Sequence, residues 1–514
     1  MTSHTETNQQ GNDAADGSGV TIGEALQIAL ERHQQGRLTE AQLIYERILD
    51  LAPEYAEAHH FLGLIKVQSG DAEGAEENLR EAIRLDPAYV AAHNNLGNFL
   101  QEQGRLDEAE AEYRQAISLN PEFTDAHSNL GAVLKSQDRW DEAEPALRRA
   151  IELQPGHFQA LNNLGVLLKE QGELDAARQL LQQASDLKPD FAEARHNLGL
   201  VLAAQGDYEA AEAALEKAVA YGVDTYVSLC RILREQARFA EAIQHCRKAL
   251  ALDPDCCDAL HHLGMMLEAT SQVGEATEAF RHWTEVEPNN PFAKHMLAAC
   301  SGEEIPMRAT DHYVQSLFDS FAPTFEARLE GLEYCAPQVI AEAVLKRILP
   351  ENDCTALDAG CGTGLCGPLL KPIVSRLIGV DLSRKMLEKA AERNIYEQLI
   401  KAELTHFFQT TQVRFDLIVS ADTLVYFGDL QPVISAAWLT LQPRGLIVFT
   451  LERLEEETDT GFHLSPHGRY SHTESYIKSI LQESGFGEIT VTNETLRMEM
   501  GKPAAGLLVI ANKK

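Results

Sequence analysis

The chain has 514 residues, 44% of them apolar, which is enough for two or more domains with substantial cores and excludes disorder as the default. A formal net charge of −34 without a concentrated basic patch excludes nucleic-acid phosphate and anionic lipid as expected partners. The 9 cysteines show no paired CxxC spacing, residues 1–20 are polar without a signal-like apolar stretch, and no run approaches the roughly 20 apolar residues of a membrane span, so a cytoplasmic protein without a metal site is expected.

Residues 1–20 read as a disordered tail, and from Thr21 the chain reads as paired amphipathic helices. Pro53, Pro87, Pro121, Pro155 and Pro189 recur at intervals of 34 residues, as do Leu62-Gly63, Leu96-Gly97, Leu130-Gly131, Leu164-Gly165 and Leu198-Gly199. Glycine stands where two helices must approach closely, and proline where the second must stop. The frame slips by three residues after Gly199, whose counterpart is Cys230, which places the loss in the turn around Tyr221–Thr225, and it resumes at Gly264. The array therefore spans 21–288 in about eight repeats, with a capping helix and linker over 289–306 to cover its open apolar edge. This pattern closely resembles the tetratricopeptide repeat, the usual scaffold for holding another protein.

Asn95, Asn129, Asn163 and Asn197 each precede a Leu-Gly pair. A column of amides on a concave face can hydrogen-bond the backbone of an extended peptide, and it can equally bond between repeats to steady the stack. In the first reading it resembles the asparagine ladder of the enzyme that transfers N-acetylglucosamine to proteins.

Past Pro306 the periodicity changes to apolar strand-like runs separated by helices, at 355–358, 377–381, 415–420, 445–450, 488–492 and 507–511. Such a pattern describes a mostly parallel sheet covered on both faces, with ligands at the carboxyl ends of its strands. At the end of the first strand stands Leu357-Asp358-Ala359-Gly360-Cys361-Gly362-Thr363-Gly364, whose glycines allow close approach to a ligand. Asp358 within the fingerprint would repel a pyrophosphate but suits a cationic cofactor; bracing of the loop is its other reading. Asp381, closing the next strand, is placed to accept hydrogen bonds from ribose hydroxyls.

Together these features closely resemble the class I S-adenosylmethionine-dependent methyltransferases over 307–514. The resemblance implies a Rossmann-like α/β domain with a mostly parallel seven-stranded sheet, and S-adenosyl-L-methionine as cofactor. It places Gly360, Gly362 and Gly364 beside the methionine portion and Asp381 on the ribose. Leu382 and Met386 would flank the adenine, and Glu403-Leu404 would approach its amine. In such folds the end of the fourth strand faces the transferred methyl group, which puts Asp422 and Tyr426 beside the substrate. The segment 313–322 resembles a helical lid, with Tyr313 and Phe321 as candidates to cover the cofactor. In the insert 462–472, His467 or His472 is a base candidate, and Ser471-x-x-Glu474 could box the helix that follows.

Methyl transfer from a sulfonium is a direct displacement that needs alignment more than covalent catalysis. The expected function is a methyltransferase that recruits a protein or peptide acceptor through the repeats. The alternatives are a small-molecule methyltransferase using the repeats for assembly or regulation, and a non-catalytic adaptor.

Overall fold

The computed structural model describes residues 20–347, 353–499 and 502–514. Residues 1–19, most of the expected tail, lie outside that range. The chain divides into two compact units between Ile232 and Leu233.

The first unit is built from paired helices, beginning with Ile22–Gln34 and Leu38–Leu51. A Cβ placed on Gly97, Gly131, Gly165 or Gly199 would lie 2.5–2.6 Å from the side chain of Tyr113, Leu147, Leu181 or Leu215. No larger residue fits where the paired helices cross, which is why Leu-Gly repeats. The three residues missing from the frame are lost from the turn between two repeats: earlier pairs are joined by four residues, as between Leu187 and Ala192, and here Gly222 alone separates Tyr221 from Val223. The second helix itself keeps its span, running as Tyr208–Glu216 and then a 3-10 turn Val219–Tyr221. Val223–Glu235 then opens the next pair.

The second unit starts with Phe239–Leu252, Cys257–Ala269 and Val273–Val286, followed by the expected cap, Pro291–Ser301. Asn290 starts that cap by accepting the amides of Phe292 and Ala293, and Pro291 takes the first helical position. Three helices, Asp311–Phe321, Phe325–Gly331 and Ala336–Leu345, lie between the cap and the sheet.

The strands are β1 (Thr355–Ala359), β2 (Arg376–Asp381), β3 (Gln398–Lys401), β4 (Phe415–Ser420), β5 (Leu441–Arg453), β6 (Phe462–Leu464), β7 (Tyr470–His472), β8 (Phe486–Glu499) and β9 (Lys502–Lys513). β3, β2, β1, β4 and β5 pair in parallel in that order, and β9 and β8 follow antiparallel. These are the expected seven. Hairpin β6–β7, drawn from the insert 462–472, adds two more by pairing β7 with the last residues of β5.

Side chains alternate across the sheet as a period of two requires. Leu357, Ile447, Phe449 and Val509 enter the core beneath the helices Leu404–Thr410, Gln431–Thr440 and Glu474–Glu483. Ala356, Leu417, Val448 and Ile510 enter a second core against Ala336–Leu345. With both faces buried, the sheet leaves its strand ends for a ligand.

Candidate active site

A cavity of about 310 Å³ opens at the carboxyl ends of β1, β2, β3 and β4. Gly360 and Gly362 follow β1, Asp381 closes β2, Glu403 and Leu404 follow β3, and Asp422 and Tyr426 follow β4; all of them line it, as does Leu382. A Cβ on Gly360 would fall 2.1 Å from the Thr423 hydroxyl oxygen, so the β1 and β4 loops touch. At Gly362, with φ of +54°, the same atom would meet nothing nearer than 3.9 Å, and the loop presents bare backbone to the cavity.

Asp381 accepts the Gly362 amide at 2.9 Å and the Ser383 amide at 2.8 Å, one on each oxygen. Burial raises its carboxyl above the usual range, and those backbone bonds pull the other way. Glu403 caps the helix Leu404–Thr410 through the amides of Thr405 (2.9 Å) and His406 (2.7 Å). Each carboxylate oxygen keeps a lone pair, so both residues suit the hydroxyls and amine of S-adenosylmethionine, with Leu382 and Leu404 suiting its flat base.

The roof comes from the helices Asp311–Phe321 and Phe325–Gly331. Phe318, Phe321 and Phe325 face the cavity; Phe318 meets Phe325 at 6.0 Å and Tyr426 at 5.5 Å, both edge-on. The roof is tied down at two points. Ser383 caps the helix Arg384–Glu392 and donates its hydroxyl to Asp319, while Arg393 bonds both Glu326 (2.6 Å) and the Thr363 carbonyl (2.6 Å).

Several expected site residues stand elsewhere. Tyr313 is 3% exposed and stacks on His295 at 4.1 Å, outside the cavity wall, because its place on the helix Asp311–Phe321 faces the cap and not the sheet. Met386 packs in the core with no exposure. Gly364 lies against Tyr396 and not against the cavity. Asp358 points into the interior and accepts the Tyr396 hydroxyl at 2.7 Å; burial pushes its pKa up to about 7. His472 is fully buried, bonds the Gly428 carbonyl at 3.0 Å, and is pushed by burial down to about 4, so it is not exposed to any acceptor. The helix after the insert is capped by Thr473, not by Ser471.

A charge network on the far wall involves residues that sequence reasoning missed. Arg497, on β8, is 5% exposed and donates to Asp422 at 3.0 Å and to Glu452, at the end of β5. Arg469 donates to Glu452 as well, and His467 lies 3.5 Å from the same carboxylate. Burial works to raise Glu452, but Arg469, His467 and Arg497 outweigh it and hold the carboxyl below its ordinary value. Asp422 is raised by burial despite Arg497 and the Thr450 hydroxyl at 2.7 Å. The signal for this network was weak: Arg497 stands among other polar residues of β8, and Glu452 at the charged end of β5.

Residues 357–449 match a family model described as a methyltransferase domain. Residues 223–256 match one described as a tetratricopeptide repeat, and 9–228 one described as the cilia and flagella-associated protein 70 C-terminal domain. The malonyl-(acyl-carrier protein) O-methyltransferase of Salmonella typhimurium is 29% identical over 110 residues, 21% of this chain and 43% of that protein. The mitochondrial arginine-hydroxylase NDUFAF5 of Homo sapiens is 25% identical over 164 residues, 29% of this chain and 47% of that protein. The chain thus spans about half the length of these curated relatives, 43% and 47%. Among solved structures, the APC/C hetero-tetramer Cut9–Hcn1 covers 54% of this chain and 55% of its own, with a TM-score of 0.44 and 16% identity. No helix among the described residues is long and apolar enough to cross a membrane. The chain joins tetratricopeptide repeats to a methyltransferase domain of the class that takes its methyl group from S-adenosylmethionine.

Proposed function

We propose that this protein is an S-adenosylmethionine-dependent methyltransferase acting on a protein or peptide acceptor that its repeats recruit. The observation that carries the catalytic half is the convergence of Gly360, Gly362, Asp381 and Glu403 with Asp422 and Tyr426 on one aromatic-roofed cavity. When bound, the cofactor supplies an electrophilic methyl group on a sulfonium. Asp381 and Glu403 would hold its hydroxyls and amine, while the Phe318–Phe321–Phe325 roof excludes water and Asp422, held by Arg497, orients the acceptor. Among the base candidates, His467 is the one next to the charge network, through Glu452.

Recruitment rests on the repeats. Asn129 donates to Asn94 (3.1 Å) and Asn98 (2.9 Å), Asn197 donates to Asn162 (2.9 Å), and Asn95 lies 2.8 Å from a His60 ring nitrogen. These bonds run between repeats and use the amide N–H groups, which supports the steadying role. An amide also carries an oxygen, and the half-buried Asn95, Asn129, Asn163 and Asn197 could offer theirs to a peptide backbone.

A second reading, methylation of a small molecule, is favoured by the tied-down roof over the cavity. Methyl-labelled S-adenosylmethionine added with the protein to an extract of its source cells separates the two. Label in a protein band supports recruitment; label confined to small molecules replaces it with the second reading; no label transferred removes the catalytic assignment.

A further inference from the structure

The cap of the repeats is built into the wall of the cavity. Helix Pro291–Ser301 lays Ala298 and Ala299 on Leu464 and Tyr470 of the β6–β7 hairpin. The chain then runs through Pro306, whose carbonyl accepts the Tyr470 hydroxyl at 2.6 Å, and Met307, whose carbonyl accepts the amides of Gly428 and Asp429. Arg308 and Ala309, the next two residues, line the cavity.

Two side chains of the cap bond the hairpin turn: the half-buried Cys300 donates its thiol to the Pro466 carbonyl at 3.8 Å, and a buried histidine makes the shorter bond. His295, 4% exposed, donates from Nε2 to the Gly468 carbonyl at 2.9 Å. Gly468 has φ of +85°, and a Cβ there would stand 2.8 Å from the Tyr313 hydroxyl and 3.1 Å from the Met296 sulfur. The turn closes on itself as Ser465 donates to the Arg469 carbonyl (2.9 Å) and Gly468 to the Ser465 carbonyl (2.8 Å). Its next residue, Arg469, lines the cavity and grips Glu452, which is shared with Arg497 and through it with Asp422. A single chain of contacts therefore runs from the repeat cap to the acceptor wall: His295, Gly468, Arg469, Glu452, Arg497, Asp422.

We propose that His295 is a positioning residue for methyl transfer: by fixing the Gly468 carbonyl it sets Arg469 and the acceptor wall, so the end of the repeats is part of the catalytic domain's acceptor site. This rests on the methyltransferase reading above. A small displacement of an orienting group can cost up to about a hundredfold in rate, whereas the carboxylates and glycines assigned to the cofactor stand at the ends of β1, β2 and β3 and make none of the bonds in this chain of contacts.

The test compares the full chain with His295→Ala and His295→Gln, whose amide N–H can reach the same carbonyl. Methyl-label transfer into source-cell extract, S-adenosylhomocysteine affinity by calorimetry and amide hydrogen exchange over 465–470 are measured on each. The expected result for His295→Ala is a loss of about tenfold to a hundredfold in transfer and faster exchange at the turn, both recovered in His295→Gln, with cofactor-product affinity unchanged in either variant. Transfer by His295→Ala equal to wild type, with the turn loosened, would overturn the proposal, as would a loss that His295→Gln does not restore although its turn is protected. Failure of the methyltransferase reading is distinct, because then the wild-type protein itself transfers no label.

Discussion

Two aspartates one strand apart have opposite assignments. Asp358 accepts a tyrosine hydroxyl in the interior, and Asp381 faces the cavity. The folded pKa of Asp358, about 7, exceeds the unfolded value near 3.9. Between those values the folded chain keeps a proton that the unfolded chain has shed, so its contribution is complete below about pH 4 and is lost as pH rises through about 7. Asp358→Asn keeps an acceptor for Tyr396 without a charge. Its unfolding free energy should gain on wild type progressively from pH 4 to 7, by up to about 1.4 kcal/mol per pH unit, and the gap should level off above 7 in urea titrations at each pH. A gap that does not change with pH would mean that Asp358 is ionised throughout. Asp381→Ala should instead weaken S-adenosylhomocysteine binding by about tenfold or more in calorimetric titration, since it removes charge-assisted hydrogen bonds, with the domain still folded by circular dichroism. Unchanged affinity would defeat the ribose assignment.

At the scale of helices and strands, the repeat is a device for bringing two helices to touching distance, and its glycines can be tested directly. A Cβ on Gly131 would stand 2.5 Å from Leu147 Cγ and 3.2 Å from the Ala143 carbonyl oxygen. Gly131→Ala should lower the urea stability of the first unit by about 1–3 kcal/mol and leave cofactor affinity, a property of the second unit, unchanged. Loss of less than a few tenths would show that the helices slide apart freely. This periodicity was legible because every copy solves the same packing problem at the same spacing. The apolar strands were legible because burial on both faces demands continuous apolar runs. β3 was not: Gln398–Lys401 is short and only half-buried, so it lacks that signature. Hairpin β6–β7 was read as an insert without strands, since its three-residue strands depend on pairing with each other and with β5. At the site, the residues next to β1–β4 were legible from motif position. Arg497 and Glu452 were not, because their meeting is set by long-range pairing of β5, β9 and β8 and not by spacing. Tyr313 and His472 misled for the complementary reason: aromatic and imidazole side chains serve a core as readily as a site, and only packing decides.

At the scale of the molecule, the sequence reading places a boundary at 306/307, whereas the compact units divide at 232/233, within the helix Val223–Glu235. The difference has a physical basis. The helices from Phe239 to Ser301 follow the repeat pattern, yet the last of them carries His295, Ala298 and Ala299, whose partners Gly468, Leu464 and Tyr470 belong to the methyltransferase domain. A chain starting at Gly222, where the helix Val223–Glu235 is kept whole, should therefore bind S-adenosylhomocysteine as the full protein does. It should lose label transfer to protein acceptors if the first unit recruits them. A chain starting at Met307 keeps every residue of the cofactor motifs but strips Leu464 and Tyr470 of their apolar cover and the Tyr470 hydroxyl of the Pro306 carbonyl. Baring those two side chains costs roughly 1.5–3 kcal/mol each, and losing a buried acceptor adds about 1–3 kcal/mol, a large share of the 5–15 kcal/mol that holds a typical domain together. The shorter chain should melt well below the longer one or fail to fold, and calorimetry on the two side by side reads the difference. Equal stability of both would return the boundary to 306/307 and reduce the cap to an appendage of the repeats.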